Sequence, residues 1–143
     1  MEILLRPVAE ADLPIFHAQQ DDPVANELAD FPARDLSAFL EHWGRILRDP
    51  SGIVRTIEVA GEVVGNIVGF NSGGHREIGY WLGRDFWGAG IGSAAVAEFL
   101  LIETTRPLFG AVSVRNLPSL RVLTKNGFSV VGADEEMIEL RLD

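Results

Sequence analysis

A chain of 143 residues, 47% hydrophobic and 23% charged, has the length and balance of one globular domain with a continuous core. It contains no cysteine, which excludes disulfides, thiolate metal sites and a cysteine nucleophile, and its formal net charge of −9 argues against a nucleic-acid partner. No basic head precedes the first apolar run, and no stretch approaches about 18 uncharged apolar residues, so neither a secretory signal nor a membrane span is expected and a cytoplasmic protein is.

Residues 2–8 alternate loosely around Ile3 and Leu5 and predict a first strand. Glu10 and Asp12 offer start signals for a helix to about Gln20, with Pro14 in its first turn. The segment 21–34, "DDPVANELADFPAR", carries two prolines and four acids and predicts a mobile connection or a short helical turn. Leu36, Leu40, Trp43 and Leu47 stand at helical spacing and predict an amphipathic helix over 35–48.

The run "IVRTIEVAGEVVGNIVGF" alternates, and Gly61-Glu62 supplies a two-residue turn, which predicts a hairpin of 53–59 with 63–70. "NSGG" is a further turn, and "HREIGYWLG" a third antiparallel strand. After a glycine-rich loop, a largely apolar helix is expected from about 90 to 104, with Ile91, Ala95, Phe99 and Ile102 on one face. "LFGAVSV" predicts a strand, "NLPSLRVLTKNG" a helix that Gly127 terminates, and "FSVVGA" and "EMIELRL" a last strand pair. The order β-α-α-β-β-β-α-β-α-β-β makes residues 1–143 one α/β domain around a mostly antiparallel, twisted sheet with helices on both faces.

The glycine-rich loop, "WGAGIGS", raises the question of what it holds. A phosphate loop of the nucleotide-hydrolase kind needs a lysine before the hydroxyl residue, and none is near Ser93. A dinucleotide fingerprint needs G-x-G-x-x-G after the first strand of a parallel unit, whereas Gly88, Gly90 and Gly92 give G-x-G-x-G after three antiparallel strands. Two readings survive: a tight connection with no ligand, or a helix N-terminus whose free N–H groups and dipole face an anion such as a pyrophosphate.

Taken together, "EIGYWLGRDFWGAGIGSAAV", the opening "LRPVAEADL" and "VRNLPSLRVLTKNGF" resemble the GNAT N-acetyltransferase superfamily over nearly the whole chain. The combination of "IGYWL", "WGAGIG" and N-x-x-S followed by K-x-G-F is closest to the branch containing ribosomal-protein N-terminal acetyltransferases. The resemblance implies acetyl-CoA as donor and no metal. It implies that the amides of Trp87, Gly88, Ala89, Gly90, Ile91 and Gly92, with Ser93 behind them, hold the pyrophosphate. The pantetheine arm would pair with the strand end at Trp81, Leu82 and Gly83, and Arg84, Arg121 and Lys125 are candidates for the adenosine phosphates.

Acetyl transfer to an amine asks for a neutral nucleophile, stabilisation of a developing oxyanion and a proton for the leaving thiolate. Direct transfer within a ternary complex is expected, with backbone N–H groups of Tyr80 to Leu82 polarising the thioester carbonyl. Glu77 is the candidate base, with His75 behind it. Relatives carry a tyrosine as acid where this chain has Leu123, so Ser119, on one helical face with Asn116, is the candidate donor and Asn116 a ligand of the cofactor arm or acceptor amide. Asn116 and Ser119 are equally a helix cap and its first-turn hydroxyl.

The acceptor end is expected between the segment 21–34 and the first two helices, with Phe31, Trp43, Tyr80 and Glu77 as lining. A primary amine of a small molecule or of a protein or peptide N-terminus fits, and monomer and homodimer are both compatible. A module or sensor that binds acyl-CoA without transferring it is the alternative.

Overall fold

The computed structural model describes residues 2–143. The strands are β1 (Ile3–Pro7), β2 (Ile53–Val59), β3 (Glu62–Ser72), β4 (His75–Leu82), β5 (Leu108–Ser113), β6 (Ser129–Ala133) and β7 (Met137–Leu142). The helices are α1 (Leu13–Gln20), α2 (Pro23–Ala29), α3 (Leu36–Arg48), α4 (Ile91–Phe99) and α5 (Leu117–Lys125). The strands form one sheet in the order β1-β2-β3-β4-β5-β7-β6, antiparallel everywhere except between β4 and β5.

Strand alternation sends two sets of side chains to two helical layers. On one face Ile57, Ile67 and Ile78 pack with Ile91, Ala95, Val96 and Phe99 of α4 and Leu123 of α5. On the other, Leu13 and Phe16 of α1 and Phe39 and Trp43 of α3 pack on Val54, Val63 and Val68. Phe16 and Trp43 meet with ring centroids 5.1 Å apart, and each such buried side chain contributes roughly 1.5–3 kcal/mol from the apolar area it removes from water.

Strands and turns form close to the expected places, and the helical layer departs in four ways. The segment 21–34 contains a full helix, α2, because Asp22 caps it by accepting from the N–H groups of Val24 and Ala25 and Pro23 opens its first turn. Three helices, not two, therefore precede β2. Asp12 makes no cap on α1; its buried carboxylate receives Arg6 at 2.7 and 2.9 Å, the Thr56 hydroxyl at 2.8 Å and the Ala9 N–H at 2.8 Å. In α3 the buried stripe is Phe39 and Trp43, whereas Leu36, Leu40 and Leu47 are exposed. The helix after the glycine loop ends at Phe99 rather than near 104, leaving Ile102 exposed and Glu103 buried against Arg76 at 2.8 Å.

The hairpin turn is Ala60-Gly61, one residue before the expected pair, since Val59 faces Glu62 and both turn residues adopt left-handed φ of 52° and 79°.

Candidate active site

Sheet geometry creates the site. β4 and β5 pair only at Arg76–Leu108 and Glu77–Phe109, after which they part. β4 continues to Leu82 against β3 alone, so beyond Glu77 its β5-facing backbone has no strand partner among the described residues. A cavity of about 1090 Å³ runs through this opening from the α1–α3 layer to the α4–α5 layer.

On the α4–α5 side, Gly90 is the N-cap of α4, no side chain caps the helix, and Gly88 and Gly90 hold φ of 80° and 79°. A Cβ at either would meet nothing within 4 Å, so the backbone conformation, and not crowding, demands glycine there. The first-turn N–H groups of α4 are thus left facing the cavity mouth, the arrangement that receives an anion. Gly92 lets α4 approach Leu82, Val122 and Tyr80, which a Cβ would meet at 3.4–3.8 Å.

Around this mouth the expected residues divide. Trp87, Gly88, Gly90, Ile91, Gly92, Ser93, Arg121 and Lys125 line the cavity, with Trp81 and Leu82 at its strand wall. The Trp87 indole N–H donates to the Leu82 carbonyl at 3.1 Å and ties the loop to β4. Ala89 completes the loop without lining the cavity, and Gly83 is buried against Gln19 and Phe86. Arg84 turns away to pair with Asp22 at 2.9 Å, so of the three expected bases Arg121 and Lys125 remain at the cavity.

The polar groups nearest the opening lie on opposite faces of β4. Tyr80 shares the α4–α5 face with Ile78 and Leu82, and its hydroxyl is 2.9 Å from the Ser119 hydroxyl. Ser119 is fixed in turn because Asn116 caps α5 by accepting its N–H at 3.2 Å. Burial pushes the Tyr80 phenol above its ordinary value of 10.0, and the bond to Ser119 only partly offsets it, so the proton stays on at neutral pH. Leu123 is core, 2% exposed and packed toward Gly110, and takes no part in the cavity's chemistry.

Glu77 projects from the other face. Burial raises its pKa, His75 opposes the rise and Glu139 adds to it. His75 itself is exposed and stacks on Phe109 with centroids 4.5 Å apart.

The α1–α3 end is aromatic. Phe31 lies 5.9 Å from Trp81, Trp43 closes the floor, and the Trp81 indole N–H donates to the Gln19 carbonyl at 3.0 Å. Among the lining residues not anticipated from the sequence are Gln20, Arg34, His42 and Asn66. Asn66, on β3 beside Trp81, is 9% exposed and makes no side-chain hydrogen bond among the described residues. The Gln20 side-chain oxygen is also buried without a partner. An asparagine interrupting "VVGNIVGF" was a legible signal, because a strand buried on both faces carries a polar residue only where something satisfies it. Arg34 and His42 carried no such signal, since one sits in a loop and the other reads as an exposed helix residue.

A sheet opened between two parallel strands thus has an uncapped helix start at one mouth and an aromatic pocket at the other. The family model for the "Acetyltransferase (GNAT) domain" matches residues 2–129, and the chain belongs to that family. It is an acyltransferase that takes acetyl-CoA as donor for N-acetylation.

Among curated protein sequences, none matches significantly. Solved structures do. An acetyltransferase from Thermus thermophilus is 18% identical over 99% of this chain and 98% of its own, with a TM-score of 0.82. A ribosomal-protein-alanine N-acetyltransferase from Brucella melitensis is 24% identical over 97% and 98%, with a TM-score of 0.79. A spermidine N-acetyltransferase from Vibrio cholerae, in complex with CoA and spermine, is 14% identical over 98% and 94%, with a TM-score of 0.82. At these identities the likeness is one of fold.

Proposed function

We propose that the chain moves an acetyl group from acetyl-CoA to a primary amine, of a small molecule or a protein N-terminus, by direct transfer in a ternary complex. The observation that carries this reading is the placement of Glu77 and the Tyr80–Ser119 pair on opposite faces of one strand, at one opening in the sheet. The residues of the cavity fit the donor: an uncapped helix start at Gly90, Arg121 and Lys125 beside it, and an unpaired strand edge beyond Glu77.

In this assignment the α4 amides and the two bases bind the CoA phosphates, and the free edge of β4 at Tyr80 to Leu82 holds the arm and polarises the thioester carbonyl. The amine nitrogen attacks the carbonyl carbon, forming the C–N bond as the C–S bond breaks. Glu77 takes the ammonium or developing N–H proton on the acceptor side, a role its raised pKa suits. The Tyr80 hydroxyl, oriented by Ser119 and still protonated at neutral pH, gives a proton to the thiolate on the donor side. Tyr80 thus replaces in function the helix tyrosine whose position Leu123 occupies.

Free-thiol release over a panel of amines tests the reading. Turnover with at least one amine is expected, Glu77→Gln lowering kcat about 10²-fold and leaving CoA affinity within about twofold by calorimetry. Tyr80→Phe lowers kcat with little change in acceptor KM. CoA binding without turnover of any amine leaves a binding module, and overturns the assignment.

A further inference from the structure

The acceptor end of the cavity carries a charge pattern that distinguishes one kind of amine, and the inference rests on the transferase reading above. Its acidic lining residues are engaged elsewhere. Asp49 accepts from the Ser51 N–H and hydroxyl at 2.9 and 2.7 Å, and Asp30 pairs with Arg115 at 3.7 Å. Glu77 lies at the opening in the sheet, on the face of β4 that Trp81 shares.

Of the two arginines that line this end, Arg45 pairs with Glu41 at 3.4 Å and Arg34 is not engaged. Arg34 pairs with no carboxylate among the described residues, and its guanidinium lies 5.2 Å over the Phe31 ring. Stacking on Phe31 holds the fork in place while leaving its N–H donors free. His42 faces the same space, its pKa lowered first by burial and then by Arg34 and Arg45, so it presents a neutral ring that donates one hydrogen bond at neutral pH. Asn66, nearly buried and without a side-chain partner, stands between this end and β4, and its amide both donates and accepts.

The geometry points to an acceptor that is an amino acid: a small amine also carrying a free carboxylate, its amine at Glu77, its apolar part along Phe31, Trp43 and Trp81, and its carboxylate at Arg34. A zwitterion meets no net repulsion from a protein of charge −9, and the buried Asn66 amide gains the partner it lacks. A charge-assisted contact of this kind is worth more than tenfold in kcat/KM.

Two matched sets of acceptors test the idea at saturating acetyl-CoA: L-phenylalanine against phenylalaninamide and phenethylamine, and 6-aminohexanoate against hexylamine. Rates are corrected for the fraction of neutral amine. In at least one set the acid should exceed its uncharged counterparts about tenfold or more in kcat/KM. That ratio should fall to within about threefold in Arg34→Gln, with folding followed by circular dichroism. Acids no better than neutral amines in both sets, or a ratio that survives Arg34→Gln, overturn the proposal and leave the transferase reading standing. Phenylalaninamide above phenylalanine also overturns it, in favour of a peptide N-terminus. Bound CoA with no thiol release from any acceptor removes both readings.

Discussion

Asp12 shows how one side chain can be committed to architecture although its place in the chain suggests a helix cap. Its carboxylate joins β1, through Arg6, to β2, through Thr56, at the point where the chain enters α1. The hydrogen bond from Arg6 is the largest cause that holds its pKa at about 2, below the ordinary 3.8, against the penalty of burial. A depressed carboxyl pKa stabilises the fold above the unfolded value and loses that contribution as pH falls through 3.8 toward 2. Asp12→Asn should therefore cost roughly 2 kcal/mol at pH 7, read as a lower urea midpoint, and the gap to the parent protein should narrow on acidification across that window. Glu77 has the opposite displacement, from burial, which is the direction that the base of the proposed transfer would need.

Among the elements, the loop into α4 makes the sharpest demand on residue type. Gly88 and Gly90 are left-handed in open space, so an alanine at Gly90 costs roughly 1–2 kcal/mol of backbone strain without a clash. The same change puts a methyl group where the anion would approach. Gly90→Ala should thus lower the melting temperature modestly and weaken CoA binding more than tenfold by calorimetry, whereas a turn without a ligand would show the first effect alone.

This loop was legible because glycine spacing and helix polarity are local. The strands were legible for the same reason, since alternation is local and the turn at Gly73-Gly74 uses residues that tolerate positive φ, whereas the hairpin turn sits one residue early because Ala60 takes a left-handed φ that alanine rarely adopts. Long-range choices were not. α3 buries Phe39 and Trp43 in place of the leucine stripe because the α1 ring of Phe16 meets it on that side, and periodicity alone cannot report which neighbour a helix finds. α4 stops early because Glu103 answers Arg76 and Arg106 bonds its carbonyl, contacts between residues far apart or outside any periodic pattern. Arg34 and Asn66 reach one cavity from a loop and a distant strand, and the parting of β4 from β5 leaves no mark in the composition of either.

For the whole molecule, the opening between β4 and β5 divides the sheet into a four-strand half and a three-strand half that share two residue pairs. The buried Arg76–Glu103 ion pair, with Asn71 on the same guanidinium at 3.2 Å, anchors the closed end of that seam. A donor lying in the seam and held by β4 and α5 would bridge the halves and bind only the folded state. CoA at about 100 times its Kd should then stabilise the chain by about 2.7 kcal/mol, a rise in melting temperature on the order of 8 °C for a domain of this size. Differential scanning calorimetry reads this directly, and a shift near zero would mean that CoA does not bind the folded state in preference to the unfolded one.

The passage through the sheet also has a kinetic meaning. Exposed residues stand at each mouth, Trp87, Gly88 and Gly90 at one and Phe31, Arg45 and Asp49 at the other, so traffic can use two separate doors. With the carrier seated from one side, the acceptor's route from the other stays clear. On the proposed assignment, access would then impose no compulsory order of arrival, and the sequence in which the two partners board would be left to their concentrations and affinities.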